Sequence, residues 1–240
     1  MDNKEFVRKH LNDDVNKLAL SKFPEEIDKQ FVIRQIQARQ VLSKKLPSWA
    51  ENDELVFPKK LSLEQCSSEL TAKYKALLLS TNPHESSRKI SADSCELVDE
   101  KEIRVNTCRS VKKNGILIDL TGGMGVDTSF LSDNFDKTYY VEMQEELCDI
   151  ARHNFKILNK NIEVVNDNAE HFLTTCGEVD CIYLDPARRD EYGRKMVSLH
   201  DCSPDVAELQ DILLKKAKKV LVKVSPMLDI EMIKKELTDI

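Results

Sequence analysis

A short apolar segment followed by a glycine cluster limits the folds open to this chain more than any other stretch does. Residues Ile116 to Leu120 are mostly apolar, which is typical of a buried strand in a parallel sheet. Gly122, Gly123 and Gly125 follow, and the pattern from Val126 to Leu131 predicts the beginning of a helix. Glycines can adopt positive φ and let a ligand approach the backbone closely, while a helix N-terminus offers free N–H groups to an anion. A plain connecting turn could contain the same residues, so the downstream sequence has to decide between these interpretations.

Predicted strands and helices alternate downstream of the glycine cluster. Strands are predicted at 137–142, 162–166, 179–184 and 219–224, and helices at 144–158, at 205–218 and from 230 onwards. This alternation is typical of an α/β fold with a Rossmann-like doubly wound parallel sheet. Ligands of such sheets bind at the carboxyl ends of the strands, where the strand order reverses.

The chain ahead of the sheet has a helical pattern. Apolar residues recur at helical spacing from Met1 to Leu46. Residues 47–60 contain the single tryptophan, Trp49, and are predicted to form an irregular linker. We therefore expect a small all-helical N-terminal domain with its linker at 1–60 and the sheet domain at 61–240. One side of the helical part is basic, which predicts either a solvated face or an RNA-contacting surface. Its residues are Arg34, Arg39, Lys44 and Lys45.

A further helix is predicted from Leu61 to Leu79, with Ser62 and Gln65 as a capping box. Its polar residues are short or neutral, which favours packing near a ligand as much as a surface helix of low charge. These residues are Gln65, Ser67, Ser68, Thr71 and Tyr74. The segment 83–114 is polar, with a predicted helical stretch from Val98 to Cys108.

Composition excludes several classes of protein. The net charge of −6 over 240 residues does not favour non-specific coating of nucleic acid, although it allows a local basic face. No apolar run has membrane-spanning length and the N-terminus has no signal-peptide pattern, so we expect a cytoplasmic protein without membrane contact. The seven cysteines are dispersed, which argues against a disulfide framework or a structural metal site. Cys148 and Cys181 are expected to be small buried hydrophobes.

Four carboxylates stand close to the predicted carboxyl ends of strands: Asp119, Glu142, Asp167 and Asp185. Glu142 lies about twenty residues beyond the glycine turn, where a carboxylate can bind both hydroxyls of a ribose; an exposed helix-capping acid ahead of Gln144 is the alternative. Asp167 could meet an adenine edge, cap the next short helix, or do both. Asp119 would orient a ligand ammonium, since a bare buried carboxylate is costly without a cation.

These motifs resemble those of class I S-adenosylmethionine-dependent methyltransferases, in the same order along the chain. The resemblance rests on Asp119-Leu-Thr-Gly-Gly-Met-Gly125, on Glu142, on Asp167 with Asn168-Ala169, and on Asp185-Pro186. The segments Glu64 to Lys75, Asp119 to Thr128 and Asp185 to Arg189 more closely resemble the bacterial THUMP-like methyltransferase family, which is assigned to RNA methylation. The resemblance covers the chain from about Leu61 onwards.

The resemblance implies S-adenosylmethionine as the cofactor and a map of its contacts. Thr121, Gly122, Gly123 and Gly125 would pass under the methionine part, with Asp119 beside them. Glu142 and Met143 would hold the ribose, and Asp167, Asn168 and Ala169 would flank the adenine. Asp185 and Pro186 would face the transferred methyl group, and Gln65, Ser68, Arg188 and Arg189 would contact the substrate, an RNA. No metal is implied.

The residues after the fourth predicted strand leave the chemistry open. Amino-group methyltransferases often have Asp/Asn-Pro-Pro and an aromatic residue, whereas Arg188 replaces the aromatic residue here. Its guanidinium could stack on a base, clamp a phosphate together with Arg189, or form a salt bridge to a neighbouring acid. We predict Asp185, Pro186 and Arg188 as the catalytic residues. Uracil C5 chemistry needs a cysteine after the fifth strand, and Ser225 stands there instead.

Two other functions fit parts of the pattern. A non-catalytic module that binds the cofactor or RNA would have the same fold. A nicotinamide-dependent oxidoreductase would need Gly-x-Gly-x-x-Gly, but the spacing here is Gly-Gly-x-Gly. Class I methyltransferases usually add two strands beyond the fifth, so we expect the natural chain to continue past Ile240 and cover that edge; pairing in a dimer is the lesser alternative. The oligomeric state and the substrate are left open.

Overall fold

A five-stranded parallel sheet lies at the centre of the protein. The computed structural model describes residues 1–80, 115–188, 198–224 and 230–237, with the backbone alone at Lys60, Leu61, Arg188 and Ile230. The sheet has the order β3-β2-β1-β4-β7, and a separate antiparallel pair joins β5 to β6. The strands are β1 Ile116–Asp119, β2 Lys137–Glu142, β3 Ile162–Asn166, β4 Val179–Leu184, β5 Ala187–Arg188, β6 Cys202–Ser203 and β7 Ala217–Val222.

The predicted α/β fold is confirmed, with small differences at the element ends. Strands β2, β3 and β4 begin and end where the sequence predicted them, and β7 lies two residues earlier than its predicted range of 219–224. The predicted helical stretch from Val98 to Cys108 lies outside the described residues. No helix in the described ranges is long and apolar enough to cross a bilayer.

Eleven α-helices occur in the described residues, and five of them begin with a side-chain cap. The capping residues are Asp2, Asp14, Asp28, Asn168 and Asp205. The helices are α1 Asn3–Lys9, α2 Val15–Leu20, α3 Lys29–Lys45, α4 Pro47–Ala50, α5 Lys60–Gln65, α6 Glu69–Ser80, α7 Val126–Leu131, α8 Glu145–Ile157, α9 Ala169–Thr175, α10 Val206–Lys216 and α11 Ile230–Glu236.

The sheet is covered by helices on both faces. Successive strand residues point to opposite faces, so Leu117 and Tyr183 pack with α6 and α7, while Ile118 and Ile182 pack with α9 and α10. Helix α8 lies over Tyr140 through Phe155, with ring centroids 5.5 Å apart. Burial on both sides explains why the strands are nearly continuous apolar runs. The predicted burial of Cys148 and Cys181 is confirmed.

The segment at 47–60 differs from the irregular linker that the sequence predicted. It begins with helix α4, and Trp49, Leu55 and Phe57 are at most 2% exposed. These side chains belong to one apolar cluster with Met124 and Val126 of the glycine turn and α7. Burying each large apolar side chain contributes about 1.5–3 kcal/mol, so this segment joins the N-terminal helices to the sheet. The predicted division at residue 60 stays a prediction.

Arg39 does not belong to a basic surface, so its prediction as a solvated or RNA-contacting residue is wrong. Its side chain is 4% exposed and its guanidinium donates to four backbone carbonyls of the 47–60 segment. Lys45 donates to two carbonyls near the end of α5, and Arg34 pairs with Glu146 at 3.2 Å. Most of the predicted basic face therefore stabilises the fold.

The single helix predicted from Leu61 to Leu79 is two helices in the structure. Helix α5 ends at Gln65 and α6 begins at Glu69, with Ser68 accepting from the N–H of Thr71 at 3.2 Å. Ser62 lies inside α5, whose N-cap makes no side-chain hydrogen bond, so the predicted capping box is wrong. The break between the two helices brings Cys66 and Ser67 to the carboxyl ends of the strands, where the Ser67 side chain is buried.

Candidate functional site

A cavity of about 290 Å³ lies at the carboxyl ends of the central strands. One wall comes from the glycine turn and the ends of β2 and β3, and the opposite wall comes from the connection between α5 and α6. All residues predicted above to contact the cofactor line this cavity. They are Asp119, Thr121, Gly122, Gly123, Gly125, Glu142, Met143, Asp167, Asn168, Ala169 and Asp185.

The three glycines of the turn serve different purposes. Gly123 and Gly125 have φ of +54° and +80°, as predicted for glycines in a tight turn. Gly122 is not among the positive-φ residues; a Cβ there would lie 2.3 Å from the Tyr140 ring, so packing beneath the turn requires this glycine. A Cβ on Gly123 would be 3.8 Å from its nearest neighbour, the Thr121 carbonyl oxygen. Gly123 therefore presents bare backbone to open space in the cavity wall.

Glu142 connects the glycine turn to the end of β2. Its two carboxylate oxygens accept from the N–H groups of Gly123 and Gln144, each at 2.9 Å. The residue is only 9% exposed, so the alternative of an exposed capping acid is wrong. Each oxygen can accept a second hydrogen bond, which leaves Glu142 able to bind a vicinal diol at the cavity wall.

Asp167 follows β3 and is paired with His171. Its Oδ2 lies 2.7 Å from His171 Nδ1 and its Oδ1 accepts from the Asn168 N–H at 2.8 Å. The hydrogen bond from His171 is the main reason why the pKa of Asp167 is lowered. Asn168 caps helix α9 by accepting from the His171 N–H. The predicted capping role of Asp167 is therefore wrong, and its carboxylate stays at the cavity wall.

Asp119 is almost fully buried at the end of β1. Its oxygens accept from the Thr121 N–H at 3.0 Å and from Thr128 Oγ1 at 2.5 Å. It is 1% exposed, and burial raises its pKa to about 7, although the two hydrogen bonds act to lower the pKa. Within the described residues no cation pairs directly with Asp119, so its ionised form is costly, as the sequence led us to expect.

Asp185 is ion-paired with a residue that the sequence analysis missed. Lys223 Nζ lies 2.5 Å from Asp185 Oδ2, and the Asp185 N–H donates to Thr121 Oγ1 at 2.6 Å. Burial raises the pKa of Asp185, and Lys223 opposes that rise. Lys223 follows the end of the edge strand β7, beside β4, and it lies within the predicted strand 219–224. A lysine near the carboxyl end of that predicted strand was the available signal.

Of the two predicted substrate residues whose side chains are described, only one lies in the cavity wall. Gln65 lines the cavity, whereas Ser68 accepts from the Thr71 N–H and is not part of the cavity wall. Pro186 is also outside the wall, although its neighbours Asp185 and Ala187 line it. The Arg188 side chain and Arg189 lie outside the described residues.

A buried polar cluster beneath one end of the cavity was also missed. We call it the Asp127 cluster; it consists of Ser67, Lys75, Asp127 and Tyr183. Asp127 Oδ2 lies 2.5 Å from Lys75 Nζ and accepts from Ser67 Oγ and Tyr183 Oη, both at 2.8 Å. These residues come from the connection between α5 and α6 and from α6, α7 and β4, so sequence spacing alone could not bring them together. Lys75 does belong to the segment that carries the family resemblance.

The cavity wall is strongly acidic. Six carboxylic acids line it and, among the described lining residues, there is no lysine or arginine. The six are Asp119, Asp127, Glu142, Asp167, Glu170 and Asp185. Lys75 forms an ion pair with Asp127, and Lys223 forms one with Asp185. Such a wall favours a ligand with positive charge over one with phosphates.

Comparison with known proteins identifies the fold. No protein-family profile and no curated protein match the sequence. A candidate methyltransferase from Porphyromonas gingivalis W83 matches with a TM-score of 0.72 and 27% identity, over 98% of this chain and 51% of its own. This chain therefore spans about half of the length of that protein. Together with the sheet order, the match shows a Rossmann-like methyltransferase fold.

Two further solved structures match over smaller parts. An rRNA methylase from Streptococcus thermophilus has a TM-score of 0.35 and 19% identity, over 49% of this chain and 66% of its own. A candidate methyltransferase from Streptococcus mutans, crystallised with S-adenosylhomocysteine, has a TM-score of 0.35 and 22% identity, over 44% and 58%. These partial similarities carry no argument about the function of this chain.

Proposed function

We propose that this chain is an S-adenosylmethionine-dependent methyltransferase that acts on RNA. The observation that carries the proposal is the row of carboxylates at successive strand ends around the open backbone of Gly123. The fold shared with the Porphyromonas protein supports methyl transfer in general. The motifs from Glu64 to Lys75 and from Asp185 to Arg189 support the finer assignment to the THUMP-like family.

The order of the residues along the cavity fits the chemical groups of this cofactor. Asp167, Asn168 and Ala169 would flank the adenine, and Glu142 would bind the ribose hydroxyls. Met143 is 71% exposed beside Glu142, so its thioether could pack on the nucleoside. The glycine turn would pass under the methionine part, and Asp185 would face the reacting methyl. When bound, S-adenosylmethionine supplies an electrophilic methyl group on a sulfonium sulfur.

The charge of the cavity argues against the oxidoreductase alternative. A nicotinamide dinucleotide carries a pyrophosphate that would lie on the glycine turn. That turn is flanked by the carboxylates of Asp119, Asp127 and Glu142, which repel an anion. A sulfonium cofactor places positive charge there instead, so the same carboxylates attract it.

Asp185 is the group of this chain best placed to act on a substrate proton. Its carboxylate lines the cavity, and the ion pair with Lys223 opposes the rise in pKa that burial causes. An ionised Asp185 would accept a hydrogen bond from a substrate amino group and hold the nitrogen in line with the methyl; such positioning supplies most of the rate of methyl transfer. Pro186 would limit the backbone at this point, and Arg188 and Arg189 would contact RNA phosphates or bases.

Ligand-induced stabilisation tests the cofactor assignment. We expect millimolar S-adenosylhomocysteine to raise the Tm. Gly123→Val should abolish this shift, because a side chain there strains the positive φ and enters the cavity. Gly177→Val is the matched control, since a Cβ on Gly177 meets no atom within 4 Å. No shift for the native chain would refute the cofactor assignment.

Transfer of a labelled methyl group tests catalysis on RNA. Asp185→Ala should keep the thermal shift with S-adenosylhomocysteine and lose methyl transfer to total RNA. Loss of both properties would contradict the role given to Asp185. A thermal shift with no transfer by the native chain would identify a non-catalytic binding module, and comparison of modified nucleosides in cells with and without the gene would locate the methylated atom.

A further inference from the structure

Within the described part of the chain, one carboxylate oxygen in the Asp127 cluster has no hydrogen-bond partner. Asp127 is 9% exposed, and its Oδ2 is held by Lys75, Ser67 and Tyr183. Its Oδ1 is buried and has no partner among the residues that the structure describes. An unsatisfied buried polar atom costs about 1–3 kcal/mol. A donor from a bound ligand would remove that cost, since Asp127 also lines the cavity.

The rest of the cluster fixes Asp127 without competing for this oxygen. Lys75 Nζ contacts Asp127, donates to Ser67 Oγ at 2.9 Å and donates to Tyr183 Oη at 2.8 Å. An ammonium group has three N–H donors, so Lys75 is fully occupied. Ser67 and Tyr183 each donate to Asp127 and accept from Lys75. The carboxylate is therefore held by three neighbours through Oδ2, while Oδ1 makes no hydrogen bond to a described residue.

The position of the Asp127 cluster in the sheet indicates which end of the cofactor could reach it. Tyr183 lies on β4 and Glu142 ends β2, and β1 separates these two strands. Two strand spacings are about 10 Å, so a ligand whose ribose meets Glu142 would extend its far end toward the cluster. In S-adenosylmethionine that far end is the methionine moiety, which carries an ammonium group.

We propose that Asp127 binds the α-ammonium group of the cofactor's methionine moiety and that Ser67, Lys75 and Tyr183 position its carboxylate; this rests on the proposed function. The sequence analysis expects Asp119 to orient that ammonium, but Asp119 is 1% exposed against 9% for Asp127, and burial raises its pKa to about 7, which weakens its attraction for a cation. Asp119 then organises the turn, while Asp127 makes the direct contact. The three donors to Asp127 Oδ2 hold the carboxylate in position before the ligand arrives.

A thermodynamic cycle between protein and ligand tests this contact. The probes are S-adenosylhomocysteine and its deamino analogue, which differ only in the α-ammonium group. By isothermal titration calorimetry, the native chain should bind S-adenosylhomocysteine about 10- to 100-fold more tightly than the analogue, the size of a charge-assisted hydrogen bond. Asp127→Asn should remove most of that ratio by weakening S-adenosylhomocysteine alone.

Two further variants separate recognition from folding. Asp127→Asn leaves Lys75 buried beside a neutral amide, which can destabilise the fold. The double variant Lys75→Met with Asp127→Asn removes both charges and should show the same selective loss. Asp211→Asn, an exposed aspartate on α10, is the matched control and should retain the full ratio.

Each result decides the matter. Equal affinity of the native chain for both probes would overturn the inference while leaving the proposed function standing, even if every variant failed to fold. Equal weakening of both probes by the variants would show that Asp127 only supports the structure, and would also overturn it. If the native chain binds neither probe, the proposed function fails as well.

Discussion

The burial of Asp119 illustrates how one residue links the site to stability. The pKa of this carboxyl is about 7 in the folded protein, against an ordinary value of 3.8, because burial disfavours its charge. Between these values the unfolded chain releases the proton and the folded chain keeps it. The free energy of unfolding therefore falls as the pH rises through that window, by up to about 4 kcal/mol.

Asp119→Asn should remove this dependence. An asparagine can still accept from the Thr121 N–H, and its amide can donate to Thr128. We expect the gain in stability of the variant over the native chain to be larger at pH 8 than at pH 5, in urea unfolding experiments. Asp211→Asn, on the surface, should change neither value. A gain in stability that is the same at both pH values would contradict the burial argument.

Lys223 gives a second prediction at the scale of one residue. Because it opposes the rise in the pKa of Asp185, Lys223→Met should raise that pKa further. If ionised Asp185 is needed, the acid limb of the pH–rate profile for methyl transfer should move to higher pH. Lys219→Met, at an exposed position on β7, should leave the limb in place. A uniform loss of rate without any movement would show that Lys223 acts otherwise.

At the scale of elements, the glycine turn shows what sequence patterns can and cannot predict. The strand, turn and helix from Ile116 to Leu131 were predictable because apolar runs and glycines act locally. The requirement for a glycine at position 122 was not predictable, because it depends on contact with the Tyr140 ring of the neighbouring strand. The same limit applies to the Asp127 cluster, where Ser67 and Asp127 lie 60 residues apart, and to the break between α5 and α6.

Gly122→Ala tests this packing. The added Cβ would lie 2.3 Å from the Tyr140 ring, so the ring or the turn has to move, and such overpacking costs about 1–3 kcal/mol. We expect a lower midpoint in urea and weaker binding of S-adenosylhomocysteine. Gly177→Ala has open space around its Cβ and should have little effect on either measurement. Equal effects of the two substitutions would show that the Tyr140 contact is not limiting.

At the scale of the whole molecule, helix α8 connects the N-terminal segment to the sheet. Asn154 is fully buried, and its side chain accepts from the Val56 N–H at 2.9 Å and donates to the Val56 carbonyl at 2.8 Å. The sequence predicted α8 and its apolar side. It could not predict that the buried Asn154 bonds the backbone of Val56, 98 residues away.

Asn154→Leu should destabilise the whole protein. The substitution removes the partners of the two partly buried backbone groups of Val56, at up to about 1–3 kcal/mol each. Trp49 is the single tryptophan and is buried in the N-terminal part, so its fluorescence reports that part, while far-UV circular dichroism reports every helix. We expect coincident transitions at lower urea for the variant, and no change for Lys156→Ala on the exposed side of α8. Separate transitions in the native chain would instead support independent domains divided near residue 60.

The contribution of α5 and α6 to the cavity wall has a practical consequence. Ser67 and Gln65 reach the cavity from the part of the chain that precedes the sheet, so an occupied cavity holds that part more firmly against the strand ends. Resistance of the first eighty residues to limited proteolysis then becomes a readout of occupancy. Libraries of small molecules could be screened in this way before any methyl acceptor has been identified.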